Sequence, residues 1–440
     1  MDISNEMLAV LSIISMFGLF CTGFPISYTM IFSGLLFGFL GFGKLVFHLL
    51  TIQFWQVMSD PVMGAIPFFL LMGYLLEGAG LMDRLFRSFQ LLLARLPGSL
   101  YGAISLTGTI FAAATGIVGS SVNLLCIMAE PSMRRSGYDI RMGAGCIAAA
   151  GTLGILIPPS IMLVVLGPIM GLPITDLFAA AILPGLLLAG IYVAYSLIKC
   201  AIWPQYGPPL PKEERAASMA LVLKELLIGA VPLAILIFST LGSILCGIAT
   251  PTEASACGAF GALALVIVYR KFTWKGLAKA LHSTILLSSM ILIMIASCNF
   301  FGSVFSRLGG AVALSNALLG MDIAPMFMLF LIMAIIFFMG WAMEWIPIIL
   351  ILVPLTLPVV DAMGYDKLWY CMLVAVTLQT SWLSPPVALS AYYIKGALPH
   401  WKLTDIYKGM FQYIGCQLVG LILIILFPAI VTWLPNYLKQ

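Results

Sequence analysis

The sequence predicts an all-α integral membrane protein, and three observations carry the prediction. Hydrophobic residues make up 62% of the 440 positions and charged residues only 9%, with a mean hydropathy of +1.11. Such a chain cannot present a polar surface around one ordinary core. Long uncharged segments recur along the chain without the alternating polarity of barrel strands, and most reach the roughly 20 residues that a membrane-spanning helix needs. These segments are residues 7–43, 100–129, 142–170, 177–198, 226–249, 284–301, 324–343, 368–394 and 410–436.

The amino terminus lacks the basic region of a secretory signal peptide, so we expect the first uncharged segment to be a genuine span. The nine cysteines lie mostly in apolar segments, as small buried hydrophobic residues do. The three histidines are far apart and near predicted membrane edges, which favours interfacial packing over catalysis. With no paired histidine and acid and no nucleophile beside a base, the sequence does not predict an enzyme.

Proline signals recur at nearly constant spacing, which predicts an internal repeat. Pro25 corresponds to Pro251. Pro158–Pro159 correspond to Pro385–Pro386, and the offset of this second pair is one residue longer than that of the first. The elements between these anchors follow in the same order. The proline-rich charged segment 203–218 reads as an extended loop between the halves. The predicted divisions are a first repeat over 1–202, a cytoplasmic linker over 203–224 and a second repeat over 225–440.

Each repeat is expected to contain about five spans and one re-entrant helical hairpin, so an odd number of crossings inverts the second repeat. The basic residues support this topology, because cytoplasmic loops carry an excess of Lys and Arg. With the amino terminus outside, all but four of the 21 Lys and Arg fall on the cytoplasmic side. We therefore expect both termini in the periplasm. The four exceptions are Lys44, Arg307, Lys367 and Lys439.

The segment 100–129 is flanked by cytoplasmic basic residues at both ends, so it must turn back inside the membrane. Asn123 is expected to bond peptide groups that the turn leaves free. Non-helical backbone at membrane depth is tolerated only where it is buried in protein or lines a wet cavity. The segment therefore predicts a re-entrant hairpin whose tip belongs to a site. The residues expected to form its permissive turn are Gly116, Gly119, Ser120 and Ser121.

Residues 343–364 are expected to form the second hairpin, with Glu344 on one arm and Asp361 near the other end. A double proline follows each hairpin, and each span must unwind there because proline lacks an amide donor. Inverted repeats with discontinuous helices are typical of secondary transporters. In such transporters freed carbonyls coordinate sodium, and half-helix amino ends face anionic substrates.

The candidate residues lie on these hairpins and breaks. The alternative is that small residues only permit close packing and that serine and threonine hydroxyls only bond back to their own helix. Glu77 is expected to be interfacial, and Thr250 to cap a helix that begins at Pro251. The sodium-binding candidates are Ser120, Ser121, Asn123, Gly151, Thr152, Pro158, Thr380, Ser381 and Ser384. The substrate-binding candidates are Gly119, Asn123, Glu344, Trp345 and Gln379.

Several stretches resemble the large membrane subunit of the tripartite ATP-independent periplasmic (TRAP) transporters, the DctM-like permeases. They are "GIVGSSVN", "MRRSGYD", "GTLGILIPPSIMLVVLG", "GIATPTEASACGAFGAL", "LVPLTLPVVDAMGYDKLW" and "LQTSWLSPPVAL". The chain departs from the family pattern at three positions. Val122 replaces a usual alanine, Ser384 a threonine, and Ala388 a flexible glycine.

The resemblance implies a sodium-coupled importer of a small organic acid in the bacterial inner membrane, with an elevator motion and no cofactor besides the coupling ion Na⁺. It also implies two partners. These are a separate small four-helix membrane subunit (DctQ-like) and a periplasmic substrate-binding protein (DctP-like) that delivers the substrate. Two alternatives stay open at this point: a stand-alone dicarboxylate/cation symporter of the wider ion-transporter group and, less favoured, a membrane-embedded enzyme.

Overall fold

Every regular element in the described part of the computed structural model is helical, which confirms the all-α class. The predicted linker, 203–224, falls partly outside the described residues, because residues 211–218 are not among them. The described residues are 4–210, 219–321, 323–386 and 388–439.

The first half of the chain contains a surface helix among its apolar helices. On that helix, Leu85 and Phe86 are buried while Arg84 and Arg87 are exposed, as expected for a helix at the membrane surface. Three short 3₁₀ helices are Pro61–Gly64, Leu153–Ile155 and Pro204–Tyr206. The α-helices are α1 (Asn5–Cys21), α2 (Ile26–Phe42), α3 (Leu45–Ser59), α4 (Ala65–Gly78), α5 (Leu81–Leu92), α6 (Ser99–Thr115), α7 (Val118–Arg135), α8 (Ile140–Thr152), α9 (Ile161–Met170) and α10 (Ile174–Ile202).

The second half contains longer helices and one further 3₁₀ helix, Thr380–Trp382. The Thr250 cap is confirmed, because its hydroxyl accepts a hydrogen bond from the Glu253 amide at 3.3 Å, and the Glu253 carboxylate accepts one from the Thr250 amide at 2.8 Å. The α-helices are α11 (Met219–Leu245), α12 (Pro251–Val268), α13 (Trp274–Arg307), α14 (Gly310–Leu319), α15 (Pro325–Ala342), α16 (Trp345–Ala362), α17 (Lys367–Gln379), α18 (Leu389–Ala397), α19 (Leu403–Leu426) and α20 (Ala429–Leu438).

Seven helical segments of the described chain are long and apolar enough to cross a membrane, so the multi-pass membrane class is confirmed. Shorter apolar helices also occur, and two of them, α8 and α9, are separated by a 3₁₀ helix and an irregular segment. Charged pairs join segments that the topology places on one side: Arg141 pairs with Asp405 at 2.9 Å and Lys439 with Asp176 at 2.7 Å. The position of both termini in the periplasm and the inverted repeat stay predictions.

The first hairpin consists of α6 and α7, which pack against each other. Its arms extend beyond the predicted range of 100–129, to Ser99 and Arg135. Of the residues expected in the turn, Gly116 alone has a left-handed backbone, with φ of +61°. Gly119, Ser120 and Ser121 lie in the first turns of α7 instead. The turn is tighter than expected, because Ile117 has extended backbone and α7 begins at the next residue.

The second hairpin consists of α15 and α16, so the predicted range of 343–364 is wrong for one arm. That range covers the turn, Met343–Glu344, and only α16. Helix α16 continues without interruption through Pro354 and Pro358.

Helices α8 and α19 cross at two glycines. A side chain on Gly409 would overlap the carbonyl oxygen of Arg141, and one on Gly145 would overlap the carbonyl oxygen of Gly409. Small residues at such crossings let two helix backbones approach closely in a membrane. The crossing fixes the amino-terminal half of the first broken helix against α19.

We expect Gly409→Ala to lower the free energy of unfolding by about 1–3 kcal/mol, because the new methyl group overlaps backbone that cannot turn aside. Gly415→Ala is the matched control, since it lies on the same helix and a Cβ there meets no atom within 4 Å. Thermal unfolding of both variants in the same detergent compares them. Equal stability of the two variants would contradict the close crossing.

Candidate functional site

The tips of the two hairpins meet at one cavity of about 370 Å³. Five of the predicted site residues line it: Gly119, Ser120, Asn123, Glu344 and Trp345. The other lining residues come from α4, α6–α7, α9, α13, α16, the broken segments and α18. They are Leu70, Tyr74, Glu77, Gly116, Ile117, Val118, Ile155, Ile161, Met162, Leu287, Met290, Ile291, Ile346, Trp382 and Tyr393.

The tip of the first hairpin presents the amino end of α7 to the cavity. Ile117 is the N-cap residue and offers no side-chain hydrogen bond to the free amides of the first turn. The Ser120 hydroxyl, in that turn, donates to the Glu77 carboxylate at 2.5 Å. The expected position of Glu77 at the membrane interface stays a prediction, and the structure adds that α4 brings its carboxylate to the hairpin tip.

The tip of the second hairpin has the same construction. Glu344 is the N-cap residue of α16 and makes no side-chain cap hydrogen bond, and Trp345 behind it is 7% exposed. Partial positive charge collects at the amino end of a helix because its first amides lack partners. Two such ends therefore line one cavity.

Aromatic residues form much of the remaining wall. Tyr393 lies directly over Gly119, where a Cβ would approach its ring to 2.8 Å. Tyr74 and Trp382 line the same space. The sequence analysis did not predict these three residues, because they belong to distant helices and carry no local motif.

The breaks of the two discontinuous helices touch each other behind the hairpins. The Gln379 Nε2 donates to the Thr152 carbonyl oxygen at 2.9 Å, between positions 227 residues apart. Both side chains are fully buried, and the Gln379 Oε1 accepts no hydrogen bond from the described residues. Gln379 does not line the cavity, although it was expected to contact substrate. A buried oxygen without a donor is chemically suited to a cation.

Hydroxyl groups near the breaks and the first tip bond to carbonyls of their own segments. Their acceptors are one turn or less away, in agreement with the alternative in which these hydroxyls only bond back. Their assignment to sodium stays a prediction, as it does for Gly151 and Pro158. The bonds are Ser121 to Ile117 at 2.8 Å, Thr152 to Ala149 at 2.8 Å, Thr380 to Thr377 at 2.5 Å, Ser381 to Leu378 at 2.6 Å and Ser384 to Thr380 at 2.7 Å.

Two residues beside the double prolines were not predicted in their observed roles. Ser160 caps α9, where its hydroxyl accepts from the Leu163 amide at 3.5 Å and donates to the Ile155 carbonyl. A serine before an apolar run was the sequence signal that could have identified this cap.

Ala388 has φ of +25°, a region that favours glycine, so the alanine at this family glycine position carries backbone strain.

A second cavity of about 530 Å³ is lined by α3, α9, α13 and α16, and the last three of these helices also line the first cavity. It lies nearer to their carboxyl ends, where Arg307 and Asn299 of α13 face Leu350 of α16. Arg307 belongs to the side that the topology places outside. The two cavities thus occupy successive levels along one bundle.

Comparison with known proteins gives one family and one fold. The family model described as "Tripartite ATP-independent periplasmic transporter, DctM component" matches residues 13–430. The sialic acid TRAP transporter large permease protein SiaM of Vibrio cholerae is 28% identical, over 97% of this chain and 98% of its own. The C4-dicarboxylate TRAP transporter large permease protein DctM of Pseudomonas aeruginosa is 30% identical, over 88% and 90%.

A solved structure, that of the Alcanivorax borkumensis YdaH transporter, shares the fold at a TM-score of 0.52 and 14% identity. The similarity covers 86% of this chain and 90% of that chain. YdaH is described as having an unusual topology.

We expect Gly119→Ala to destabilise the protein by about 1–3 kcal/mol, because the added methyl group displaces the Tyr393 ring. Gly396→Ala, on the helix that carries Tyr393, is the control, since nothing lies within 4 Å of a Cβ there. In a Tyr393→Leu background the Gly119 substitution should cost less, which a double-mutant cycle by thermal unfolding measures. Additive effects would show that the two residues are not in contact.

Proposed function

The chain belongs to the DctM family, the large permease component of the TRAP transporters, and we propose that it is a sodium-coupled importer of a small organic acid. Membership makes it a membrane transport protein and not an enzyme. The direction of transport, the coupling ion and the substrate class belong to the proposal.

The observation that carries the proposal is the cavity between the two hairpin tips. Its volume of about 370 Å³ is in the range of small-molecule sites. Two helix amino ends line it, and such ends favour an anionic group. We place the carboxylate of the substrate at the amides that follow Ile117 and Glu344.

The second cavity supports transport by alternating access. Both cavities share α9, α13 and α16, so a displacement of the hairpins along α13 changes both spaces together. In the proposed cycle the hairpins and broken helices move as an elevator against a scaffold that includes α13. Substrate enters at the level of Arg307 and leaves from the cavity between the tips.

Sodium is proposed to bind near the broken helices and the first tip, where hard oxygen atoms are concentrated. Asn123 in the cavity and the unpaired Oε1 of Gln379 offer side-chain oxygens, and the backbone before each double proline offers carbonyls. Among the described residues no group of three or more His, Cys, Asp or Glu side chains suits a metal ion, so backbone, amide and hydroxyl oxygens carry this proposal.

The partners follow from the tripartite family. We propose that a small four-helix membrane subunit holds the scaffold in the inner membrane and that a periplasmic binding protein delivers substrate. The relatives are described as permeases for sialic acid and for C4-dicarboxylates, which are both organic acids. Uptake that proceeds fully without a binding protein would instead favour a stand-alone symporter.

We expect Asn123→Ala to raise the sodium concentration for half-maximal uptake by about tenfold, as loss of a supporting metal ligand does elsewhere. The measurement is uptake by vesicles that contain the complete transporter. Asn316→Ala, at an exposed position on α14 outside the cavity, should leave the sodium dependence unchanged. An unchanged sodium requirement for Asn123→Ala would remove this residue from the site.

We expect Ser384→Ala to weaken the sodium and substrate dependence of uptake together, each by about fivefold or more, because linked binding is reciprocal. Ser297→Ala is the control: this buried serine also donates to its own helix, at 2.6 Å from the Ile293 carbonyl, but lies on α13. Thermal shifts with sodium and uptake are measured on the same purified variants. Lower stability with intact coupling would show that Ser384 only bonds back to Thr380.

A further inference from the structure

The cavity between the hairpin tips is acidic in composition. Glu77 and Glu344 both line it, and its lining residues within the described chain include no Lys, Arg or His. A substrate that is only an anion would bring a further negative charge to these carboxyl groups, of which Glu344 is half-buried and Glu77 is exposed. Like charges at short distance repel strongly where water is excluded. The wall composition therefore favours a substrate that also brings positive charge.

Glu77 is held in place as a hydrogen-bond acceptor. The Ser120 hydroxyl donates a hydrogen bond to its Oε2 at 2.5 Å. Ser120 lies in the first turn of α7, so the carboxylate is anchored to the hairpin tip. Glu344, half-buried at the other tip, has no side-chain cap bond to its own helix.

The aromatic wall fits the same conclusion. Tyr74, Trp345, Trp382 and Tyr393 all line the cavity, and the Tyr393 ring packs against Gly119. Faces of such rings attract ammonium groups, and the combination of rings with carboxylates is the usual way of binding an alkylated or primary amine. Rings alone would equally suit an apolar group, but the two glutamates favour the cation.

The two helix amino ends remain available for a carboxylate, so the cavity offers both signs of charge at once. We propose that the substrate is an amino-bearing carboxylic acid, with its ammonium nitrogen bound by Glu77 and Glu344 and its carboxylate by the amino ends of α7 and α16. This inference rests on the proposed function and narrows it from organic acids in general to zwitterions. Glu77 and Glu344 then determine specificity.

The test compares acids that differ only in an amino or a hydroxyl group. The permease, purified with its small subunit, is titrated at fixed sodium with alanine and lactate, aspartate and malate, and 4-aminobutyrate and 4-hydroxybutyrate. Thermal stabilisation reports binding. In at least one pair, the amino member is expected to reach half-maximal stabilisation at a concentration about tenfold lower, because a lost charge partner is worth at least that factor.

The variants assign that preference to the two carboxylates. Glu77→Gln and Glu344→Gln should each reduce it about tenfold, because the amino acid loses a charge partner and the hydroxy acid loses a repelling carboxylate. Glu77→Asp keeps the charge and should keep the preference, and Glu6→Gln, at an exposed position on α1, is the matched control. Unfolding without ligand checks that each variant is folded.

Several results would overturn the inference. One is a panel in which no amino acid binds better than its hydroxy partner. Another is a preference for the amino acid that survives both glutamine substitutions. A third is that the substitutions change only the sodium requirement or the pH dependence of uptake, which would indicate that the two glutamates carry protons. Sodium-dependent binding of the hydroxy acids in those cases leaves the proposed function intact. If the acids bind equally well with and without sodium, the proposed sodium coupling is contradicted, whereas the assignment of the two glutamates is not.

Discussion

The structure depends on one constraint: peptide groups freed where a helix stops at membrane depth must find partners inside the protein. The chain stops helices there four times, at the two hairpin turns and at the two double prolines. The freed groups are directed toward one another, since both turns line one cavity and the breaks join through Gln379 and Thr152. Peptide groups whose exposure to lipid would be unfavourable thereby form a polar centre within an apolar helix bundle.

Small residues make this convergence possible. A Cβ on Gly73 would come within 3.0 Å of the Thr115 backbone at the end of the first hairpin arm. A Cβ on Gly340, on an arm of the second hairpin, would come within 2.8 Å of Ser381 in the second break. Packing against backbone replaces the hydrophobic effect, which gives little force between helices that are already in lipid. The first hairpin therefore lies close to α4, and the second hairpin lies close to the second break.

Sequence reasoning succeeded where a local rule determines the local structure. Proline chemistry located both helix breaks, and a threonine before Pro251 gave the capped start of α12. It failed for the second hairpin, because α15 and α16 are both apolar and nothing in their composition marks the turn at Met343. It also did not place Glu77 at the tip, since that position arises only from the packing of α4 against α6.

The arrangement of the two cavities links the site to movement. The first turn of α16 faces the cavity between the tips, and its middle, at Leu350 and Leu355, faces the cavity of Arg307. Because one helix forms a wall of both cavities, the proposed displacement of that hairpin along α13 would change both spaces together. In the proposed cycle, opening toward one side and closing toward the other then occur in one step. The hydrogen bond between Gln379 and Thr152 ties the two breaks together, which fits the proposal that the broken helices move as a unit.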